Sequence, residues 1–318
     1  MTAPGLIADI GGTNARFALV PPGASQGQQP LTLACADFPG PAEAALAYLR
    51  KVAPPVPPAR AAFAVACPVL ADSVAMTNHA WRFSIEEVRQ TLSLERLEVV
   101  NDFIAVALAV PHLQAADQAT ICPGRSAPGA PIAVAGPGTG LGVSLLVPRQ
   151  GRWQAIASEG GHVTMAAQTA REDAILAWLR QHFDHVSAER VLSGPGLANI
   201  HAALRGLAGL PPQPLAPADI TGQALAGEPL ARESLDLFFA FLGTFCGNLA
   251  LTLGARGGLA LAGGILPRLL PALKASAFAE RFRDKGRFRD WLAPLPVDLV
   301  THPYPAFVGL AGLVNGEI

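Results

Sequence analysis

The sequence predicts an α/β protein of two domains. Two apolar runs flank the glycine turn Gly11-Gly12, and two more flank Gly136–Gly142, so each reads as a strand–turn–strand unit. Short apolar runs then alternate with segments of helical spacing, beginning with a hairpin meander, as in α/β architecture. At 318 residues the chain is long enough for about two such domains.

In chain order, strands are expected at 6–10, 17–20, 31–35, 61–66, 73–76 and 97–100. Helices are expected at 41–52 and 84–92, the second opened by the capping box Ser84-Ile85-Glu86-Glu87. Pro54–Pro58 and Pro123–Pro131 read as rigid loops. The second hairpin pairs 131–135 with 143–147. Helical segments follow at 169–183 and 219–255, joined through the Pro- and Gly-rich stretch 206–217. Leu259–Ala262 reads as a buried strand and Ile265–Leu273 as helical. The apolar tail Ala306–Val314 has helical spacing and is expected to pack back onto the first domain. The domain boundary is placed near residue 111, giving 1–111 completed by 302–318, and 112–301.

Composition excludes several classes. A net charge of −1 and the lack of a basic run, apart from Arg281–Arg289, argue against a nucleic-acid partner. The four cysteines, Cys35, Cys67, Cys122 and Cys246, are scattered without a CxxC or Cys/His cluster, which suits buried thiols in a reducing compartment. No basic, apolar leader opens the chain, so a cytoplasmic protein is expected. Leu237–Ala255 lacks charge and is long enough to span a bilayer, yet it contains Thr244, Asn248 and Thr252 and stands alone. A helix buried between layers explains it better than a membrane span.

Glycines at a strand turn let backbone N–H groups crowd a phosphate, because no Cβ stands in the way. A P-loop or a Rossmann loop opens a helix, whereas Phe17–Val20 alternates as a strand, and Leu141 breaks the G-x-G-x-x-G spacing. Asp9, Gly11, Gly12, Thr13 and Asn14 form one phosphate candidate, with Asp9 placed to hold a hydrated Mg²⁺. Gly138 and Thr139 form the other. An ordinary glycine hairpin is the alternative for each. Gly263-Gly264 would let an adenine or ribose lie against bare backbone, or would simply turn a strand into a helix.

Asn101-Asp102 follows the strand 97–100, at the carboxyl end where ligands of α/β sheets gather. Asp102 there would accept a proton from an attacking hydroxyl, or would cap the apolar helical run after it. Glu159 and His162, in Ser158–His162, supply an acceptor and a donor suited to sugar hydroxyls. Metal binding is the competing idea, opposed by two glycines that disfavour a helix aligning them. Glu189 alone would pass as a surface residue.

Taken together, these segments resemble the bacterial glucokinases of the hexokinase-like superfamily, in the branch distinct from the repressor–ORF–kinase group. The matching stretches are LIADIGGTNARFALV (6–20), ACPVLADSVAMTNHAWRFS (66–84), NDFIAVALAV (101–110), GPGTGLG (136–142), SEGGHVTMA (158–166), SAERVLSGPGL (187–197) and LAGGILPR (261–268). The neighbouring group carries a cysteine-rich zinc motif after its Glu–Gly–His segment, and Val163–Arg171 here has no cysteine. The resemblance implies a two-lobed actin-like (ribonuclease H-like) ATPase fold with mixed sheets and a cleft between lobes. It implies Asp102 as catalytic base and Asn101, Asp102, Glu159, His162 and Glu189 around the sugar. Asp9, Gly11, Gly12, Thr13, Asn14, Gly138 and Thr139 would surround phosphates and Mg²⁺, and Gly263 and Gly264 would border the adenosine.

The expected reaction is phosphorylation of D-glucose at its 6-hydroxyl by ATP, with Mg²⁺. The partners are small molecules alone, with no nucleic acid and no membrane, and self-association into a homodimer is left open. A kinase for another hexose, or for an acid such as acetate, and a non-catalytic sugar sensor are the rival readings. The polyol-reading set Glu159, His162 and Glu189 disfavours an anionic substrate. Retention of both phosphate loops and the base disfavours a sensor.

Overall fold

The computed structural model describes residues 3–77 and 79–316. Its described residues divide into two compact units, Met1–Asp117 with Leu146–Ala157 and His302–Ile318, and Gln118–Leu145 with Ser158–Thr301. Residues 146–157, at the end of the second glycine hairpin opposite its turn and in the strand that follows, thus group with the first unit.

The chain opens with the meander β1 (Gly5–Ile10), β2 (Asn14–Val20) and β3 (Gln28–Ala34), then α1 (Pro41–Val52), β4 (Arg60–Val65), the small ribbon β5 (Ser73–Ala75) and β6 (Arg82–Ser84), α2 (Ile85–Thr91), β7 (Arg96–Asn101) and α3 (Asp102–Ala109). The first five-stranded sheet has the order β3-β2-β1-β4-β7, antiparallel in the meander and parallel from β1 to β7. Ser84 caps α2 as its sequence requires, its Oγ accepting from Glu87 N at 3.1 Å. The core of this unit is apolar and fully enclosed at Leu6, Ile10, Phe17, Tyr48 and Phe63. Phe17 stacks on Tyr48 at 5.5 Å between ring centres.

From residue 118 the chain continues with β8 (Gln118–Cys122), β9 (Ile132–Pro137), β10 (Leu141–Arg149) and β11 (Arg152–Ser158). Helices α4 (Ala170–Leu179), α5 (Gly194–Leu207), α6 (Pro217–Leu225) and α7 (Pro229–Leu253) follow. Then come β12 (Gly258–Leu261), α8 (Leu270–Ala275), α9 (Phe278–Arg283), α10 (Arg289–Leu292), β13 (Val297–Val300) and α11 (Pro305–Asn315). The second sheet has the order β11-β10-β9-β12-β13-β8, with β12 parallel to β9 and β13 and β8 antiparallel to β13.

Helix α7 is the one described helix long and apolar enough to cross a membrane, and two-thirds of its apolar window is buried in the fold. Gly243 and Gly247 let α9 lie directly on it, because a Cβ at either would strike the carbonyls of Phe278 and Phe282. Beside them Arg281 donates to both oxygens of the buried Glu172 and to Thr244, so this buried carboxylate is paired.

Several expectations are corrected. The segment 219–255 is two helices, broken where Gly227 takes φ +91°. The helix expected at 169–183 ends at Leu179, and Ile265–Leu273 begins as a 3-10 turn at Leu266–Leu269 around Pro267. The strands β8, β11 and β13 and the helix α5 escaped the sequence reading. Within the first unit α11 packs on α3, where Gly309 approaches Ala105 O too closely for any side chain.

Candidate active site

In the first unit, register brings the chemistry to one edge of the sheet. Ile10 pairs with Val65, and Val65 with Asn101, so the carboxyl ends of the parallel strands β1, β4 and β7 align. Asp9 stands beside this edge, opposite Arg16 on β2, with 4.0 Å between carboxylate and guanidinium. Arg16 is braced by Thr32 Oγ1 at 3.3 Å and by the Tyr304 ring at 4.5 Å. Burial raises the pKa of Asp9, and the Asp102 carboxylate raises it further, while Arg16 partly offsets both.

The turn between β1 and β2 has its carbonyls occupied from inside the protein. Gly11 N donates to Asn14 O, Cys35 N to Thr13 O, and the Cys35 thiol to Gly11 O. The N–H groups of Gly12 and Thr13 have no acceptor among the described residues. Thr13 lines a cavity of about 260 Å³ together with Asp9, Gly11, Asn14 and Arg16. An unused amide and a guanidinium around one hollow are the donors that an anion would need. Two interacting carboxylates beside it suit a hydrated divalent cation, which takes one or two carboxylates together with phosphate oxygens.

Asn101 closes β7 and caps α3, its Oδ1 accepting from Phe103 N at 2.9 Å and its Nδ2 donating to Cys67 O at 3.2 Å. The cap expected at Asp102 is therefore one residue earlier. Asp102 is the first helical residue, and its Oδ1 also accepts from Phe103 N, at 2.8 Å. Burial pushes its pKa above the ordinary carboxylate value, against hydrogen bonds from Phe103 N, Asn101 and its own amide that lower it.

In the second unit, parallel β9 and β12 bring Gly138 and Gly263 together. Gly263, at φ +90°, lies so close to Pro137 O that no side chain fits, whereas Gly264 faces open space. The bare Cα of Gly263 thus serves a backbone contact. Gly138 also has open space around it, its carbonyl accepts from Gly194 N at 2.8 Å, and Thr139 is exposed.

Gly160–His162 forms a single 3-10 turn, with His162 N donating to Glu159 O at 2.9 Å. Contrary to the expectation drawn from the glycines, this turn aligns the two side chains: His162 Nε2 lies 3.8 Å from Glu159 Oε2, both well exposed. Residues i and i+3 eclipse in such a turn. Gly161 packs against Leu141 O, and the chain beyond pairs with the segment carrying Glu189 through Ala188 N to Val163 O and Met165 N to Val186 O. Glu189 Oε2 accepts from Leu141 N at 2.9 Å.

The sequence reading missed Ser193 and Gly194, although Ser-Gly-Pro-Gly before an apolar run signals a capped helix. Ser193 Oγ accepts from Gly196 N and donates to Glu189 O at 2.8 Å, tying the start of α5 to Glu189. Each unit therefore gathers its own candidates: Asp9, Gly11–Asn14, Asn101 and Asp102 in the first, and Gly138, Thr139, Glu159, His162, Glu189, Gly263 and Gly264 in the second.

The family described as Glucokinase matches residues 6–316. A glucokinase of Paramagnetospirillum magneticum is 55% identical over 312 residues, covering 98% of this chain and 97% of its own. The crystal structure of a glucokinase from an Antarctic psychrotroph, 40% identical, superposes with a TM-score of 0.91 over 99% of this chain and all of that one. The glucokinase of Balamuthia mandrillaris in complex with glucose shares the fold, with a TM-score of 0.78 at 21% identity over 99% of this chain and 94% of its own. The fold is that of the actin-like sugar kinases, and with the family matched over almost its full length the chain belongs to the glucokinases.

Proposed function

We propose that this glucokinase transfers the γ-phosphoryl group of ATP to the 6-hydroxyl of D-glucose with Asp102 as general base. The observation that carries the assignment is the division of roles at the start of α3. Asn101 takes the cap, so Asp102 is a half-buried carboxylate with a raised pKa, at a strand end, beside an anion-binding turn. A base whose pKa is moved toward the working pH is the better proton acceptor.

Asp102 accepts the 6-hydroxyl proton as O6 bonds to the γ-phosphorus and the bridging oxygen leaves with ADP. The amides of Gly12 and Thr13, with Gly11 and Asn14, receive phosphate oxygens in the first unit, and Gly138 and Thr139 do so in the second. Asp9 would hold Mg²⁺ through water, and the ion when bound neutralises charge on the phosphates. Asn101, Glu159, His162 and Glu189 bind sugar hydroxyls as carboxylate and amide acceptors and an imidazole donor. Gly263 and Gly264 border the adenosine, with the open side at Gly264.

We place the enzyme in the cytoplasm with small-molecule partners. ADP release measured across a panel of hexoses tests the reading. Highest kcat/KM with glucose is expected, and equal or better turnover of another hexose would reassign the substrate.

A further inference from the structure

The carboxylate of Glu189 does not stand free beside the Gly136–Gly142 turn; it is seated on it. Its Oε2 accepts from the backbone N–H of Leu141 at 2.9 Å, and its own backbone carbonyl is held by Ser193 Oγ at 2.8 Å. The seat exists because residue 140 is glycine. A Cβ added there would lie 2.6 Å from Glu189 Oε2 and 3.4 Å from its carboxyl carbon. The same turn offers its open side at Gly138, whose carbonyl is tied to Gly194 N of α5. Ser193, the residue before, caps that helix and holds Glu189. The turn, the start of α5 and Glu189 are thus one hydrogen-bonded circuit.

We propose that Gly140 and the Leu141 amide are positioning elements that fix the sugar-reading carboxylate of Glu189 against the nucleotide-phosphate turn, so that glucose and nucleotide binding are coupled through this one bond. The proposal rests on the assignment of Glu189 to the sugar and of Gly138-Thr139 to the phosphates. A sugar hydroxyl donating to Glu189 fixes the carboxylate, the carboxylate fixes the Leu141 amide, and the amide fixes the turn that receives phosphate. Coupling of this kind is reciprocal: whatever factor the nucleotide applies to glucose affinity, glucose applies to nucleotide affinity.

Gly140→Ala is the informative variant. Gly140 does not occupy left-handed backbone space, and what its Cβ meets is the far end of a flexible side chain, so the carboxylate gives way and the fold survives. Glucose affinity, with and without the non-hydrolysable nucleotide AMP-PNP, would be measured calorimetrically on wild type, Gly140→Ala, Glu189→Ala and the double variant, with thermal midpoints. Losing a hydrogen bond to a charged group, Gly140→Ala is expected to weaken glucose binding about tenfold. It should leave the affinity for AMP-PNP alone within about twofold and bring the glucose–nucleotide coupling factor close to one. A merely structural glycine would not move that factor. Adding Gly140→Ala to Glu189→Ala, where no carboxylate remains to be displaced, should change little, because the two act through one bond.

Wild-type glucose affinity and coupling in folded Gly140→Ala, beside a weakened Glu189→Ala, would overturn the proposal and leave the sugar role of Glu189 standing. Unchanged glucose binding in Glu189→Ala would overturn both together. If Gly140→Ala is poorly folded, the comparison of the double variant with Glu189→Ala decides, and a further loss of coupling there counts against the proposal.

Discussion

Asn101 and Asp102 share one donor: the amide of Phe103 lies 2.9 Å from Asn101 Oδ1 and 2.8 Å from Asp102 Oδ1. The bond that orders the start of α3 is therefore made twice, and one of the two carbonyl-type oxygens is spare. Asp102→Asn keeps an acceptor beside Phe103 and loses the proton acceptor. It is expected to lower kcat by at least about a hundredfold. Glucose affinity should fall less than kcat, because an amide still bonds a hydroxyl. The decisive measurements are kcat, equilibrium glucose binding and thermal midpoint on one preparation. Near wild-type turnover would leave Asp102 a helix residue only and send the search for the base to Glu159 or Glu189.

The pKa values of Asp9 and Asp102 are both raised, which fixes the sign of two pH effects. As the proposed base Asp102 would act ionised, so kcat/KM should decline on the acid side with an apparent pKa above the ordinary 3.8 of the side chain. Stability runs the other way. A carboxyl whose folded pKa exceeds its unfolded value stabilises fully below the unfolded pKa, and that contribution is lost as pH rises through the folded one. Asp102→Asn should then melt at or above the wild-type temperature near neutral pH, the gap closing as the pH approaches about 4. A gap that widens on acidification would contradict the raised pKa.

The amide of Gly12 has no acceptor among the described residues, in the turn proposed to receive phosphate. Gly12→Val puts a branched Cβ in the phosphate's approach and is expected to weaken ATP binding far more than glucose binding. Separate titrations of the two ligands check this. Unchanged nucleotide affinity in a folded variant would remove the turn from the site.

Turnover with ATP is expected to require Mg²⁺ and to survive a zinc-selective chelator. Asp9→Asn should raise the Mg²⁺ concentration for half-maximal rate by about tenfold, since hard cations favour a carboxylate over an amide. An unchanged Mg²⁺ profile would exclude Asp9 from the metal's shell.

How much of this was legible depended on how local each cause was. The turn at Gly11-Gly12 and the Ser84 cap were readable because a few adjacent residues dictate them. The break between α6 and α7 is written in Gly227-Glu228-Pro229, a glycine stop before a proline at the first helical position, but the helical patterns on both sides run together across it. Strand β13, four residues with Asp298 inside, has too little periodicity to separate from a loop. The cap at Asn101 rather than Asp102 turned on a one-residue offset that propensity cannot resolve. The 3-10 turn of Gly160–His162 escaped because glycines disfavour a long helix and still permit one turn. Three contacts depend on strands distant in sequence, and nothing local announces them: Glu189 on Leu141, Gly161 on Leu141 O and Gly263 on Pro137 O.

Helix α7 carries a consequence for the order of synthesis. Its Gly243 and Gly247 are fitted to the backbone of Phe278 and Phe282, which leave the ribosome some thirty-five residues later. A stretch of bilayer-like hydropathy thus emerges before the helix that covers it exists. Truncated chains ending between Leu253 and Phe278, once released from the ribosome, should bind chaperones or membranes, and chains extended past Phe282 should bind them less. For this glucokinase, between the emergence of α7 and that of α9, the face of α7 that carries Gly243 and Gly247 lacks the helix it fits.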